Sequence, residues 1–245
     1  MFSFFSGKKV RIKEIGSHLY ADMHAHWLPG IDDGAKNLEE SMEMFRYYQT
    51  LGYKKLIATP HIFSGYYPNT STIVKDAFDH LKSKLSEEFN DLTLEFAAEY
   101  FMDDYFKSLV DREDMLTLTS REVLVEQSYF AESPGIDEIF FQMQIKGYTP
   151  VLAHPERYTY YHQRLKKLEA FKDRGIKLQI NATSISGKYG REVAKMAELF
   201  LEMGWVDYVG TDAHHLADLI SLKDILISSK AAKNWERCIN QFSGG

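Results

Sequence analysis

Short, strongly apolar runs alternate with amphipathic ones along most of the chain. The first apolar run covers about residues 18–23. A helix is expected over 38–51, with Asn37 and Glu40 at cap-plus-three spacing and Gly52 as its stop. Residues 56–59 read as the next strand. Ile73, Val74, Ala77, Phe78, Leu81, Leu85 and Phe89 then mark one face of a helix. Leu92, Leu94 and Phe96 alternate into a third strand, and 122–126 gives a fourth. Residues 136–146 read as a helix ended by Gly147, followed by a strand over 149–153. A helix over 164–174 stops at Gly175 before a sixth strand over 176–180. A helix over 193–203 stops at Gly204 before a seventh strand over 206–209. Helices around 219–227 and 232–238 close the chain.

Seven strands alternating with helices predict a parallel sheet, either open and doubly wound or closed into a barrel. The polar residues break the tie. His24 and His26, His61, Glu99, Glu126, His154, Asn181, and Asp212 with His214 all fall at the C-terminal ends of expected strands. In a barrel those ends converge on one mouth; in an open sheet the outer strands point elsewhere. The expectation is a distorted, TIM-like (β/α)7 barrel of parallel strands, with its site at that face. Residues 18–245 form the single domain, behind an N-terminal extension over 1–17.

Composition narrows the chemistry. The 245 residues include nine His and one Cys, which excludes an internal disulfide framework and a Cys-built zinc site. Twenty-nine Lys and Arg against 35 Asp and Glu leave a net charge of −6, against broad nucleic-acid binding. There is no apolar run long enough to cross a bilayer, and Phe2, Phe4 and Phe5 make a patch too short for a signal-peptide core. That tail reads as frayed or tucked in, and the protein as cytoplasmic.

Two His at i and i+2 on a strand face the same side, so His24 and His26 can reach one ion. Asp212 and His214 share that geometry. Asp32-Asp33 between Gly30 and Gly34 fits a loop approaching a cation, or an ordinary Asp-Gly turn. Five of the nine histidines (His24, His26, His61, His154, His214) sit at strand ends together with carboxylates. Such a set calls for about two or three divalent ions, and N/O ligation without thiolate suits Mn, Fe or Zn. Ions a few ångströms apart activate water for in-line displacement, chemistry suited to phosphoesters. Arg157 can bind phosphoryl oxygens or pair with Glu156. Cys238 cannot serve a thiol phosphatase, because no Arg follows it to the C-terminus.

These residues resemble the polymerase-and-histidinol-phosphatase (PHP) superfamily, and within it the bacterial protein-tyrosine phosphatases of capsule and exopolysaccharide operons. The matching runs are Asp22-Met23-His24-Ala25-His26, Asp32-Asp33-Gly34, Thr59-Pro60-His61, Ala98-Glu99-Tyr100, Ala153-His154-Pro155-Glu156-Arg157-Tyr158 and Asp212-Ala213-His214. The resemblance implies a trinuclear site held by His24, His26, Asp33, His61, Glu99, His154, Asp212 and His214. It makes Glu126 a further site residue and Arg157 the phosphate-binding group. It implies phosphotyrosine hydrolysis by a metal-activated hydroxide, with manganese as the expected metal, and a distorted (β/α)7 barrel. The implied partner is the Tyr-rich tail of a bacterial tyrosine kinase, which would bring the protein to the membrane. Members often carry an Arg just after D-x-H; here His215-Leu216-Ala217-Asp218 follows, so either phosphate binding is weaker or another group, His215 or Lys223, substitutes. The loop 63–70, with Tyr66 and Tyr67, either flanks a substrate ring or packs on the rim. The competing functions are a histidinol-phosphate-type phosphomonoesterase, a nuclease of the same superfamily, and a non-catalytic metal-binding barrel.

Overall fold

The strands nearest the site are buried at every position, as strands covered on both faces must be: Ala21–Ala25 (β2), Lys55–Ala58 (β3) and Glu122–Glu126 (β7). A computed structural model describes residues 8–12, 15–119 and 121–238. In chain order its other strands are Lys9–Ile12 (β1), His61–Ile62 (β4), Thr93–Phe96 (β5), Glu99–Phe101 (β6), Thr149–Leu152 (β8), Lys177–Asn181 (β9), Tyr208–Gly210 (β10) and Ile225–Ser228 (β11). The helices are Ile15–Leu19 (α1), Leu38–Thr50 (α2), Ser71–Lys82 (α3), Asp104–Arg112 (α4), Ile136–Ile145 (α5), Leu165–Asp173 (α6), Ala182–Ile185 (α7), Arg191–Met203 (α8), Leu216–Ile220 (α9) and Ser229–Trp235 (α10).

The fold is mixed α/β. A six-stranded sheet runs β10-β9-β8-β7-β6-β4 and a three-stranded one runs β2-β3-β5, with every pair parallel. Together they curve into a half-barrel. Thr59-Pro60 separates β3 from β4, and Ala97-Ala98 separates β5 from β6, so the second and third expected strands are each followed, after a break, by a short further strand. Proline has no N–H to give a ladder, which accounts for the first break. On the other side the two sheets meet at a parallel bridge between Ala25 and Ala213. There Asp212 N donates to His24 O (2.8 Å) and His26 N to Ala213 O (2.9 Å).

A small apolar cluster of Ala21, Met23, Ile57, Ala97, Leu118, Leu124, Val151 and Ala153 packs inside the strands. Two of its members, Met23 and Ala153, come immediately before His24 and His154. The helices pack around the outside on a larger core that includes Trp27, Phe45, Phe140 and Phe171.

Several expected boundaries move. Residues 18 and 19 belong to α1, so the first strand starts at Ala21 and carries His24 inside it. Helix α4 was not expected; Asp103 caps it, its side chain accepting from Phe106 N at 2.8 Å. The expected helix over 219–227 is wrong in its second half. Ile225 and Ile227 are buried while Leu226 is half exposed, a period of two, and the segment pairs antiparallel with β1. The chain before residue 18 is therefore in part a strand. Phe2, Phe4 and Phe5 lie outside the described residues.

Candidate metal centre

The D-x-H-x-H run is delivered by β2, whose pairing with β3 shifts register between Asp22 and Ala25. Asp22 is not in the centre. It accepts from Thr211 N (2.9 Å) and from the hydroxyls of Thr211 and Tyr48 (both 2.6 Å), tying β2 to the segment after β10. Gly210 allows this approach: a Cβ there would stand 2.5 Å from His24 Cβ. Gly34 does the same for the Asp32-Asp33 loop, since a Cβ would lie 1.9 Å from His26 O. His154 and Asp212 both have positive φ (35° and 51°), backbone strain placed at the site.

Three overlapping donor groups result: His24, His26, Glu99 and Asp212; His26, Asp33, His61 and His214; His61, Glu99 and Glu126. Glu99 is the hub. Its Oε2 lies 3.1 Å from His24 Nε2, 3.4 Å from His26 Nε2 and 3.2 Å from His61 Nδ1. Its Oε1 lies 2.8 Å from His154 Nε2, which brings the eighth expected ligand to the same carboxylate. Asp33 Oδ1 lies 3.5 Å from His61 and 3.4 Å from His214 Nε2. Asp212 Oδ1 is 3.5 Å from both His24 and His26. Glu126 Oε1 is 3.1 Å from His61 Nδ1. All nine expected donor and acid residues are thus brought together.

Charge explains why such a cluster calls for cations. Burial favours neutral forms, yet His24 and His61 around Glu99 hold its carboxyl well below the ordinary range. Burial opposes the charge on His61 too, but Glu126 and Glu99 overcome it and push the imidazole up to about 9. Glu99 Oε2 is buried without a hydrogen-bond partner, as are His61 Nδ1 and His154 Nδ1. Buried polar atoms left unpaired are costly and need an explanation. A cluster of imidazoles and carboxylates without thiolate fits divalent ions of the Mn, Fe or Zn kind.

The surrounding residues orient the ligands; the sequence pointed to Asp32 and Asn181 without this role and did not point to Gln179. Asp32 Oδ2 accepts from His26 Nδ1 at 2.8 Å, and Gln179 Oε1 from His24 Nδ1 at 3.0 Å, so each His turns Nε2 inward. His214 Nδ1 donates to Asp212 O at 3.1 Å. Asn181 Nδ2 donates to Asp212 Oδ2 at 2.6 Å. The alternation Gln179-x-Asn181 on β9 was the available signal, because both face one side.

Arg157 does not pair with Glu156. Its Nη1 lies 3.0 Å from Asp212 Oδ2, and its guanidinium carbon is 4.4 Å and 3.9 Å from the ring centroids of Tyr129 and Tyr189. Glu156 is fully buried and accepts instead from Asn181 N and the Ser184 hydroxyl. A cleft of about 800 Å³ opens over the centre, lined also by Phe63, Tyr66, Tyr67, Phe130, Lys188 and His215. Tyr67 stacks on His61 at 5.3 Å, while Tyr66 is 76% and Phe130 96% exposed. His215 reaches the cleft, whereas Lys223 is not among its described lining residues. Cys238 is buried, donates to carbonyls of Val206 and Asn234, and burial pushes its thiol up to about 12.

Residues 20–219 match the family model for capsular polysaccharide synthesis, CpsB/CapC. The chain belongs to this family. Tyrosine-protein phosphatase YwqE of Bacillus subtilis is 30% identical over 196 residues, 80% of this chain and 77% of that protein. Tyrosine-protein phosphatase CpsB of Streptococcus pneumoniae is 28% identical over 201 residues, 80% of this chain and 83% of that protein. A crystal structure from a study of YwqE and CpsB, described as unique metal-dependent tyrosine phosphatases, superposes with a TM-score of 0.76 at 27% identity, covering 90% of this chain and 88% of that one. Dihydropyrimidinase from Brevibacillus agri shares the fold alone, with a TM-score of 0.51 at 8% identity.

Proposed function

We propose that this member of the CpsB/CapC family is a metal-dependent protein-tyrosine phosphatase. One observation carries the reading: Arg157 is fixed against the donor cluster at the floor of a cleft whose mouth holds exposed aromatic rings. His24, His26, Asp33, His61, Glu99, His154, Asp212 and His214 hold two or three divalent ions, Mn2+ first, with Fe or Zn as alternatives. Bound there, such ions supply Lewis acidity and an activated water for in-line displacement at phosphorus.

The chain's own side chains do the rest. Arg157 spends one donor on Asp212 and keeps others for phosphoryl oxygens. The rings of Tyr129 and Tyr189 hold its plane in place. Glu126 orients His61 from the side away from Asp33 and completes the third donor group. The aromatic mouth, Tyr66, Tyr67 and Phe130, receives the aryl group. A phenolate leaving group, of pKa about 10, departs with less protonation than an alkoxide needs.

We read the architecture as a distorted (β/α)7 barrel. Joining β3 with β4 and β5 with β6, and counting the Ala25–Ala213 bridge, supports seven strands in a ring. Residues 18–245 are taken as one domain, with 1–17 as an extension whose Lys9–Ile12 docks on β11. The substrate we assign is a phosphotyrosine protein, the Tyr-rich tail of a bacterial tyrosine kinase in capsule or exopolysaccharide synthesis. No described helix is long and apolar enough to cross a membrane. A cytoplasmic protein recruited to the membrane by its kinase accords with this.

The test compares kcat/KM for a phosphotyrosyl peptide, histidinol phosphate and single-stranded DNA with manganese-loaded protein. The peptide is expected to be the best substrate. Preference for histidinol phosphate or DNA would replace this function with the corresponding alternative. Peptide binding without turnover of any phosphoester would make the protein a non-catalytic barrel.

A further inference from the structure

Apart from histidines, two cationic side chains are among the described residues that line the cleft, and they are anchored differently. Arg157 is bound to Asp212, a donor of the metal centre. Lys188 is bound to Asp218, which is not: Nζ lies 2.6 Å from Asp218 Oδ1. Asp218 sits in the first turn of α9, and its other oxygen accepts from His214 N (3.0 Å) and His215 N (3.2 Å). The ammonium is thereby tied to the segment that carries a donor histidine. The backbone is fixed as well. Lys188 N donates to Thr183 O at 3.1 Å, in a turn between Gly187 and Gly190, both at positive φ.

Lys188 Nζ stands 5.2 Å from the centroid of the Tyr189 ring, the ring that also packs on Arg157. The ammonium thus borders the ring beside the guanidinium while its ion pair is with Asp218, outside the donor set. Its side chain is 30% exposed, and an ammonium held by one carboxylate keeps further N–H donors for another anion. On a chain of net charge −6, an acidic peptide meets unfavourable long-range charge unless a fixed local cation receives it.

We propose that Lys188 binds an acidic side chain flanking the phosphotyrosine, and so selects among phosphopeptides. This rests on the phosphotyrosine reading above. The test uses full-length wild type, Lys188→Gln and Lys188→Arg, each loaded with manganese at low ionic strength. The substrates are p-nitrophenyl phosphate, a phosphotyrosyl peptide with neutral flanks, and the same peptide with Asp and Glu flanks. Wild-type turnover of the first two judges the phosphatase reading by itself, whatever Lys188 does. For Lys188→Gln the ratio of KM between acidic and neutral peptides is expected to rise about tenfold, the size of one charge-assisted contact, with the change in KM and not in kcat. Lys188→Arg is expected to restore the preference. Equal losses on all three substrates would overturn the inference, placing Lys188 on the phosphoryl group or in the fold. An unchanged KM ratio would overturn it too.

Discussion

Replacing Arg157 by Lys keeps the charge and removes the shape. The guanidinium is held in three ways: an Nη1 contact to Asp212 Oδ2 at 3.0 Å, and the rings of Tyr129 and Tyr189 at 4.4 and 3.9 Å. An ammonium can stay near Asp212, but it cannot lie flat between two rings or offer a fork to a phosphoryl group. Two stacked cation–π contacts and one lost directional contact to phosphate amount to about 2–3 kcal/mol, or roughly 30- to 150-fold in kcat/KM. The metal centre is expected to survive, because Asp212 Oδ2 keeps Asn181 Nδ2 at 2.6 Å and the Tyr189 hydroxyl at 3.3 Å. The assay is kcat/KM on an aryl phosphate with metal content measured on the same sample. Full activity in Arg157→Lys would refute the role given to this side chain. A loss of activity that follows loss of metal would refute it as well, since Arg157 would then be a support of the centre.

Two further outcomes follow from the same geometry. Asp32→Asn removes the carboxylate that orients His26, so metal affinity is expected to fall about 10- to 100-fold while the fold persists, as read by metal titration and circular dichroism. The second concerns pH. In metal-free protein His61 is raised to about 9 from its ordinary 6.5, so its stabilising contribution is complete below pH 6.5 and lost as pH rises through 9. Metal needs that imidazole neutral, so the rise in Tm on adding Mn2+ is expected to grow from pH 6 to 9; a constant increment would contradict this coupling.

Most donor residues were legible because they stand in or just after strands, and a parallel sheet carries strand ends to one face; Asp33 comes instead from the loop after β2. Period two gave His24 with His26, and Asp212 with His214. What sits behind the donors was not legible. Gln179 meets His24 across 155 residues of sequence, from β9, which is separated from β2 by β10. Asp32 and Asp33 are chemically alike in the sequence; the turn allowed by Gly34 sends one to His26 and the other to His61 and His214. Arg157 had Glu156 as its evident partner, yet Glu156 is turned into Ser184 and Asn181. Pro60 marks the break after Ala58 in the sequence itself, whereas the break after Phe96 and the pairing of β1 with β11 are set by tertiary contacts. The helical expectation for residues 225–227 failed because its four-residue alternation is too short to stand out beside α9.

The central claim is that clustered imidazoles and carboxylates around Glu99 form a polynuclear centre that hydrolyses phosphotyrosine. Its most direct test is a titration of chelator-stripped protein with Mn2+, following release of phosphate from a phosphotyrosyl peptide. Turnover is expected to be absent without metal and to reach its plateau only when at least two ions are bound per chain. Undiminished turnover by the metal-free protein, or a full plateau at one ion per chain, would contradict the account.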